Sequence, residues 1–346
     1  MDCNKDTIRR QHRMRNYFIA NLSAIRRTVQ ASFGLFTLYV GFQFFQFYQW
    51  AMGQGAYVPR PPAVEAFLPI SALMGLKRFV YTGEFDPVHP AGLVILVSAL
   101  SISLLARKGF CGWICPVGFA SHLAQWLSGK LHIQFRLPNW LSFLLSGFKY
   151  ILLAFFLYVI VWSMDVTAIT SFLQTPYNVG ADAKMLQFFL APSTITIFVL
   201  SFLVVVSFFL INFWCRFLCP YGALLGLIAY FSPLTIHRDA AQCISCQKCD
   251  RQCPGGIRVS QKTNVRSPEC IGCLECIAVC PKEKCLSLRG PAKSPLAAWL
   301  LPAVTVTVFL AFWALALFSG HWHSKVSPEI FRQIYQMVED ISHPAY

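Results

Sequence analysis

C-I-S-C-Q-K-C-D-R-Q-C-P at residues 243–254 and C-I-G-C-L-E-C-I-A-V-C-P at residues 270–281 decide the reading of this chain. Each half is C-x2-C-x2-C-x3-C-P, the run that ligates cubane iron–sulfur clusters. Three closely spaced thiolates take one face of a cube, so the fourth ligand must come from elsewhere. Where two such runs occur together, the fourth Cys of each ligates the other cluster. The spacing therefore predicts one [4Fe–4S] cluster on Cys243, Cys246, Cys249 and Cys280, and a second on Cys270, Cys273, Cys276 and Cys253. Pro254 and Pro281 close the runs by fixing φ and removing a backbone donor. Zinc modules use paired C-x2-C arms rather than two triple runs, and nothing here has the spacing of a disulfide framework.

Outside this stretch the chain is far too apolar for a soluble domain. Of its 346 residues 56% are hydrophobic and 13% charged, with a mean hydropathy of +0.52. That composition points to a multi-span membrane protein. Twelve of the fourteen cysteines fall into metal-type motifs, leaving Cys3 and Cys285. A thiolate cluster module of this kind belongs in a reducing compartment, and no C-x-x-C-H haem attachment signature occurs.

The patterning predicts a mainly α polytopic fold of about five transmembrane helices with an inserted α+β module of bacterial-ferredoxin type. Residues 1–30 form a basic segment, and 31–235 a four-helix membrane domain. Residues 236–290 form the two-cluster module, 291–319 hold a fifth helix, and 320–346 are a tail. The expected spans are 32–52, 92–106, 143–164, 194–214 and 297–319. Lys149, near the start of the third, is expected to snorkel to the interface. The stretch 32–52 is too long, and lacks the cleavage pattern, to be a signal peptide. The connection 53–90 is proline-rich yet apolar, which suggests a half-buried or re-entrant segment, and 165–192 reads as a second outer loop.

The net charge of +14 is distributed along this topology. The connections holding 1–30, 107–150, Arg216 and 236–293 carry 23 Lys/Arg; those on the other side carry 6. Acidic residues divide almost evenly, 7 against 8. The excess is the positive-inside signature of a membrane protein. It places the N-terminus and the clusters in the cytoplasm and the tail in the periplasm, and it removes the case for nucleic-acid binding.

A second cysteine set repeats. F-C-G-W-I-C-P-V-G at 110–118 and W-C-R-F-L-C-P-Y-G at 214–222 share the pattern aromatic-C-x3-C-P-x-G. Each follows a span running in the same direction, so the two hairpins read as parallel repeats. At i, i+4 the sulfurs of a pair share one helical face. Cys111, Cys115, Cys215 and Cys219 then converge on one membrane-face redox or metal site, a candidate third iron–sulfur cluster. The plain alternative is small buried side chains at a tight helix end, with Gly118 and Gly222 providing clearance. Repetition in register favours the metal or redox reading, which includes a thiol–disulfide couple or a transient Cu(I) site.

Weaker signals lie on the outer side. Glu65 sits in an apolar segment, where an ionisable group is costly and tends to be functional, although a solvated loop residue is the simpler reading. Asp86 and His89 bracket Pro87; Glu65 and His89 are the candidate quinone-site residues, and capping of the next helix is the plain reading. Gln43, Gln46 and Gln49 suit hydrogen bonding between helices. His321 and His323 suit interfacial anchoring. Residues 327–341 read as an amphipathic helix after a Ser327–Pro328 start, lying on the outer surface or on a partner. Lys248, Arg251, Arg258 and Lys262 read as a solvated face of the cluster module.

The two C-x3-C-P motifs, the hairpins and the paired ferredoxin runs, over about residues 24–290, resemble the NapH-type membrane iron–sulfur proteins. That group includes the C-terminal membrane part of NosR and the CcoG/FixG oxidase-assembly proteins. The resemblance implies a quinol dehydrogenase subunit of an oxidoreductase complex, with the eight ferredoxin cysteines and Cys111, Cys115, Cys215 and Cys219 carried over. Such a subunit oxidises menaquinol or ubiquinol and passes electrons to a periplasmic ferredoxin-like protein, a c-type cytochrome or a larger respiratory complex. The CcoG branch implies instead a copper reductase or assembly factor. Its immunoglobulin-like domain and the flavin-binding domain of NosR have no counterpart here. A non-catalytic anchor for a cytoplasmic reductase is a third reading.

Overall fold

A computed structural model describes residues 3–135, 137–292 and 294–344, with the side chains of residues 3–17 and 139 left aside. The ends of the expected basic segment and tail, residues 1–2 and 345–346, lie outside the described residues, and so does the side chain of Cys3. The chain forms two compact units.

The first unit takes residues up to Gly34, Ala99–Lys149 and Val206–Val308. Its centre is a four-stranded antiparallel sheet: β1 Thr235–Arg238, β2 Asn264–Val265, β3 Leu286–Arg289 and β4 Pro295–Leu296, in the order β2-β1-β3-β4. β1 enters the first cysteine run and β3 leaves the second. Their pairing, from Thr235 opposite Arg289 to Arg238 opposite Leu286, closes the module on itself. Burial alternates along β3, with Leu286 and Leu288 inward, as a half-buried strand requires. Two short helices, Lys248–Gln252 and Glu275–Ala278, occupy equivalent places in the two runs. Around them stand the first part of the 49-residue helix Cys3–Ala51 and the helices Pro116–Lys130 and Pro220–Ala229. The basic segment expected at 1–30 is thus, from Cys3, part of one helix with the span expected at 32–52.

The second unit takes Leu35–Ser98, Tyr150–Val205 and the residues from Phe309. The proline-rich connection folds into a 3-10 turn, Pro62–Phe67, and a helix, Pro69–Thr82. That helix starts on a proline, where no backbone donor is needed, and stops at Gly83 with φ of 73°, the left-handed cap glycine takes without strain. The outer loop expected at 165–192 is instead three helices, Val166–Leu173, Pro176–Val179 and Ala181–Leu190. Asp165 and Thr175 cap the first two by accepting from the backbone N–H groups of Ala168 and Asn178. The core joins Val40, Phe44, Phe47 and Tyr48 to Phe331, Ile334 and Tyr335 of the helix Pro328–Gln336. This amphipathic helix, expected on the surface or on a partner, therefore buries its apolar face within its own chain.

Two helices are long and apolar enough to cross a membrane, Trp140–Ser163 and Leu300–Phe318. The pair Ala181–Leu190 and Thr194–Phe209, bent by 81°, makes a third if counted as one span; Pro192 lies in the break. Pro90–Ala106 is apolar but has 17 residues. Large apolar side chains stand exposed along these helices, among them Phe143, Trp162, Ile195 and Phe318. In water such a surface would be untenable, and a lipid phase covers it. The protein is a membrane protein.

Candidate iron–sulfur centres

Both cysteine runs fold around open space. Around the first cavity stand Cys243, Cys246, Cys249 and Cys280, and around the second Cys253, Cys270, Cys273 and Cys276. Each cavity thus gathers three cysteines of one run and the fourth of the other. Among the described residues no three His, Cys, Asp or Glu side chains converge closely enough to clasp a single metal ion. The sulfurs stand around a gap instead, which suits a cubane cluster. Ile236, Ile257, Val259, Val265 and Leu274 make the second cavity largely apolar.

The loops repeat in backbone as well as in sequence. Ser245 and Gly272, and then Gln247 and Leu274, have φ between 54° and 63°. A left-handed residue within such a loop turns neighbouring N–H groups to one side, the nest geometry that stabilises anionic clusters. The N–H of Ile257 donates to Cys253 Sγ at 3.4 Å. Lys248, Arg251, Arg258 and Lys262 are exposed, as expected of a solvated face.

Cys285 lies outside the ligand spacing, yet it is 3% exposed and lines the first cavity beside Cys243 and Cys280. Its only sequence signal is its place five residues beyond the second run, at the entrance to β3.

The C-x3-C-P motifs differ from the expected α-helical face. Phe110–Ile114 and Trp214–Leu218 are π turns, closed by Cys115 N–H to Phe110 O at 2.9 Å and Cys219 N–H to Trp214 O at 3.0 Å. Cys115 and Cys219 have extended backbone and precede new helices that begin on Pro116 and Pro220. The wider turn accommodates the break that each proline imposes. The four sulfurs lie within electrostatic reach of one another. Cys219 Sγ accepts from Gly222 N–H at 3.2 Å, and Ser121 Oγ lies 3.9 Å from Cys215 Sγ. A Cβ at position 118 would collide with the Cys111 carbonyl, whereas one at position 222 would make only ordinary contacts.

Three bonds fasten the first π turn to the second cluster loop and to the long helix. Trp113 Nε1 donates to the Gly272 carbonyl at 3.1 Å. Arg26 Nε and Gln30 Nε2 donate to the Gly112 carbonyl at 3.1 and 3.0 Å, and Arg26 also pairs with Glu275 at 3.3 Å. Gly112 lies so close to the Ile271 carbonyl that a Cβ there would collide with it. Lys149, expected to snorkel, has a fully buried side chain and grips Glu269 at 2.6 and 2.7 Å. Snorkelling is the route of a cation without a buried partner, and Glu269 supplies one.

Lys108 is different. It is 3% exposed, and its charge acts on Cys111 and Cys215, one cysteine from each repeat.

In the second unit Glu65 and His89 are brought together, 3.5 Å apart, and neither is solvated: each is 1% exposed. Arg60, which belongs to no sequence motif, lies between Glu65 and Asp182, at 2.7 Å from each. Asp86 accepts from the Val88 N–H at 2.9 Å, which is the capping arrangement. Gln43 donates to the Pro59 carbonyl rather than to another helix.

Two family profiles match the chain. One, a 4Fe-4S binding domain, covers residues 88–134 and 190–238, the stretches that hold the two C-x3-C-P motifs. The other, a 4Fe-4S dicluster domain, covers residues 235–281. The putative electron transport protein YccM of Escherichia coli is 38% identical over 93% of this chain and 93% of its own length. The regulatory protein NosR of Pseudomonas aeruginosa is 31% identical over 45% of this chain and 21% of its own. The ferredoxin-type protein NapH of Haemophilus influenzae is 27% identical over 49% of this chain and 54% of its own. No solved structure matches.

Cysteine-lined cavities, apolar helices and matching profiles define an iron–sulfur electron-transport protein of the membrane. The chain belongs to the family of ferredoxin-type proteins that includes YccM, NapH and NosR.

Proposed function

We propose that this chain is a quinol-oxidising subunit of a respiratory oxidoreductase. It takes electrons from menaquinol or ubiquinol and delivers them to a periplasmic ferredoxin-like protein, a c-type cytochrome or a larger complex. It spans the bacterial inner membrane five times, with the N-terminus and cluster module in the cytoplasm and the tail in the periplasm. Residues 1–30, 31–235, 236–290, 291–319 and 320–346 are its functional divisions. Glu65 and His89 are the proposed quinone-site residues.

The observation that carries the reading is the attachment of the Cys111–Cys115 turn to the Cys270–Cys273 loop by Trp113 and Gly112. It supports a third centre on Cys111, Cys115, Cys215 and Cys219 directly beside the cluster held by Cys270, Cys273, Cys276 and Cys253. Iron–sulfur clusters supply one-electron transfer when bound. The chain's own residues fix the spacing, exclude water and set charge: Trp113 is fully buried, and Lys108 offsets negative charge at Cys111 and Cys215.

The test is anaerobic. The protein is purified in detergent, a menaquinol analogue is added, and cluster reduction is followed by low-temperature EPR alongside iron analysis. Reduction blocked by a quinone-site inhibitor, with about twelve irons per chain by the four-cysteine rule, is the expected result. Indifference to quinol, about eight irons and four reactive thiols that bind Cu(I) would overturn it in favour of metal reduction or assembly.

A further inference from the structure

The second unit contains a closed polar cluster around Glu65 and His89, the two proposed quinone-site residues. Arg60 Nε and Nη2 reach Asp182 Oδ2 at 2.8 and 2.7 Å, and Arg60 Nη1 donates to Glu65 Oε1 at 2.7 Å. The Gly92 N–H, at the start of the helix Pro90–Ala106, donates to Glu65 Oε2 at 3.0 Å. Tyr335 Oη donates to Asp182 Oδ1 at 2.7 Å, and the Ala183 N–H reaches the same oxygen at 2.8 Å. Every one of these side chains is buried: Glu65 is 1% exposed, Asp182 and Tyr335 are fully enclosed, and the Arg60 side chain is 7% exposed.

The charges do not balance. One guanidinium faces two carboxylates, Glu65 and Asp182. Asp86, the other acid near His89, is driven toward its neutral form by burial, and its Oδ2 has no partner. One negative charge is left over in a place where an uncompensated charge is strongly disfavoured. The group positioned to cancel it is His89. Its Nε2 lies 2.8 Å from the Asn178 carbonyl, which can only accept, so Nε2 carries a hydrogen. Its Nδ1 lies 3.3 Å from Arg60 Nη2 and 3.5 Å from Glu65 Oε1. As neutral imidazole, Nδ1 accepts from Arg60. As imidazolium, it donates to Glu65 while Arg60 keeps Asp182. One lone pair thus has two satisfied settings that differ by a single proton.

We propose that Arg60, Glu65, Asp182 and His89 form a proton-binding site that holds one exchangeable proton on His89 Nδ1, shared with Glu65. Burial works against the imidazolium, but the hydrogen bond to Glu65 and the charge of Glu65 outweigh it, and His89 titrates above its ordinary value. Uptake forms one N–H bond on Nδ1 and release breaks it; no electron moves. Held at rest on His89, the proton is passed on and then replaced by one given up by a quinol as it is oxidised, so the chemistry suits a relay step. That use rests on the quinol reading, whereas the proton site itself does not.

The experiment uses the full chain in lipid bilayers, labelled with 15N-histidine, and solid-state NMR at pH 7.5. An imidazolium has two protonated ring nitrogens; a neutral imidazole has one. The chain has eight histidines, and His122, pushed down to about 4 by burial and by Arg26 and Arg27, stays neutral. One imidazolium signal is expected, absent in His89→Gln. In Glu65→Gln, which keeps the histidine, that signal should become a neutral imidazole protonated on Nε2, because Arg60 and Asp182 then balance alone. A neutral His89 in the unmutated protein, or an imidazolium that survives Glu65→Gln unchanged, overturns the proposal. An imidazolium that behaves as expected in a protein that quinol fails to reduce would sink the quinol role and leave the proton site standing.

Discussion

At the scale of single residues, Lys108 is the group whose removal is most informative. Without its charge, electron uptake at the proposed third centre, on Cys111, Cys115, Cys215 and Cys219, should become harder. In Lys108→Met the midpoint potential of that centre should fall by on the order of 60 mV, a tenfold change in a one-electron equilibrium. Potentiometric EPR would show the shift in one signal and leave the others in place; three unchanged potentials would refute it. Gly112→Ala should cost about 1–3 kcal/mol, because a methyl there meets the Ile271 carbonyl, a backbone atom that cannot yield. It would appear as a lower unfolding midpoint and lost iron. Gly147→Ala, on a helix with nothing within 4 Å, is the matched control and should be neutral or slightly stabilising. The cysteine runs were legible because their chemistry is local: three ligands of each cube lie within seven residues of one another. Lys108, Arg60 and Cys285 were not, because a lone charge or thiol has no spacing to read. Their meaning comes from what the fold sets beside them.

Among elements, the helix Pro328–Gln336 illustrates the opposite limit. Its period was plain in the sequence, and so was its Ser327–Pro328 start. What its apolar face would meet was not, since Phe331, Ile334 and Tyr335 pack against Val40, Phe44 and Phe47 from the far end of the chain. Phe331→Ala should lower stability by about 3–5 kcal/mol. Tyr335→Phe, which removes the hydroxyl that donates to Asp182, should cost about 1.5–3 kcal/mol. Calorimetry or heat-unfolding fluorescence would rank them, and a tail helix docked elsewhere would leave both near zero. The π turns mark a different blind spot. A C-x3-C spacing fits an α-helical face equally well, and the extra residue per turn is visible only once Pro116 and Pro220 are seen to start new helices.

For the whole molecule, the two units should respond to different treatments. The strands of the cluster module have four, two, four and two residues, too few to hold the sheet without the proposed cysteine–iron bonds. Anaerobic chelation should expose residues 235–296 to protease while helical circular dichroism persists; a protected module after complete iron loss would contradict this. The second unit should respond to pH. His89 titrates above its ordinary value, so its contribution to stability is fully present below about pH 6.5 and is lost as pH rises through the raised value. Unfolding midpoints from pH 6 to 9 should therefore fall more steeply for the unmutated protein than for Glu65→Gln. Composition made the membrane character legible, but not the number of crossings, because the helix Cys3–Ala51 mixes Gln, Tyr and Trp into its apolar half. The enclosure of Asp182 by Tyr335 has one more consequence, for biogenesis. Arg60, Glu65, His89 and Asp182 are all synthesised well before the residue that seals them. Until the helix Pro328–Gln336 emerges and docks, a nascent chain carries an open, charged wound in an otherwise finished fold. Membrane quality-control proteases could recognise chains stalled short of that helix by this feature alone.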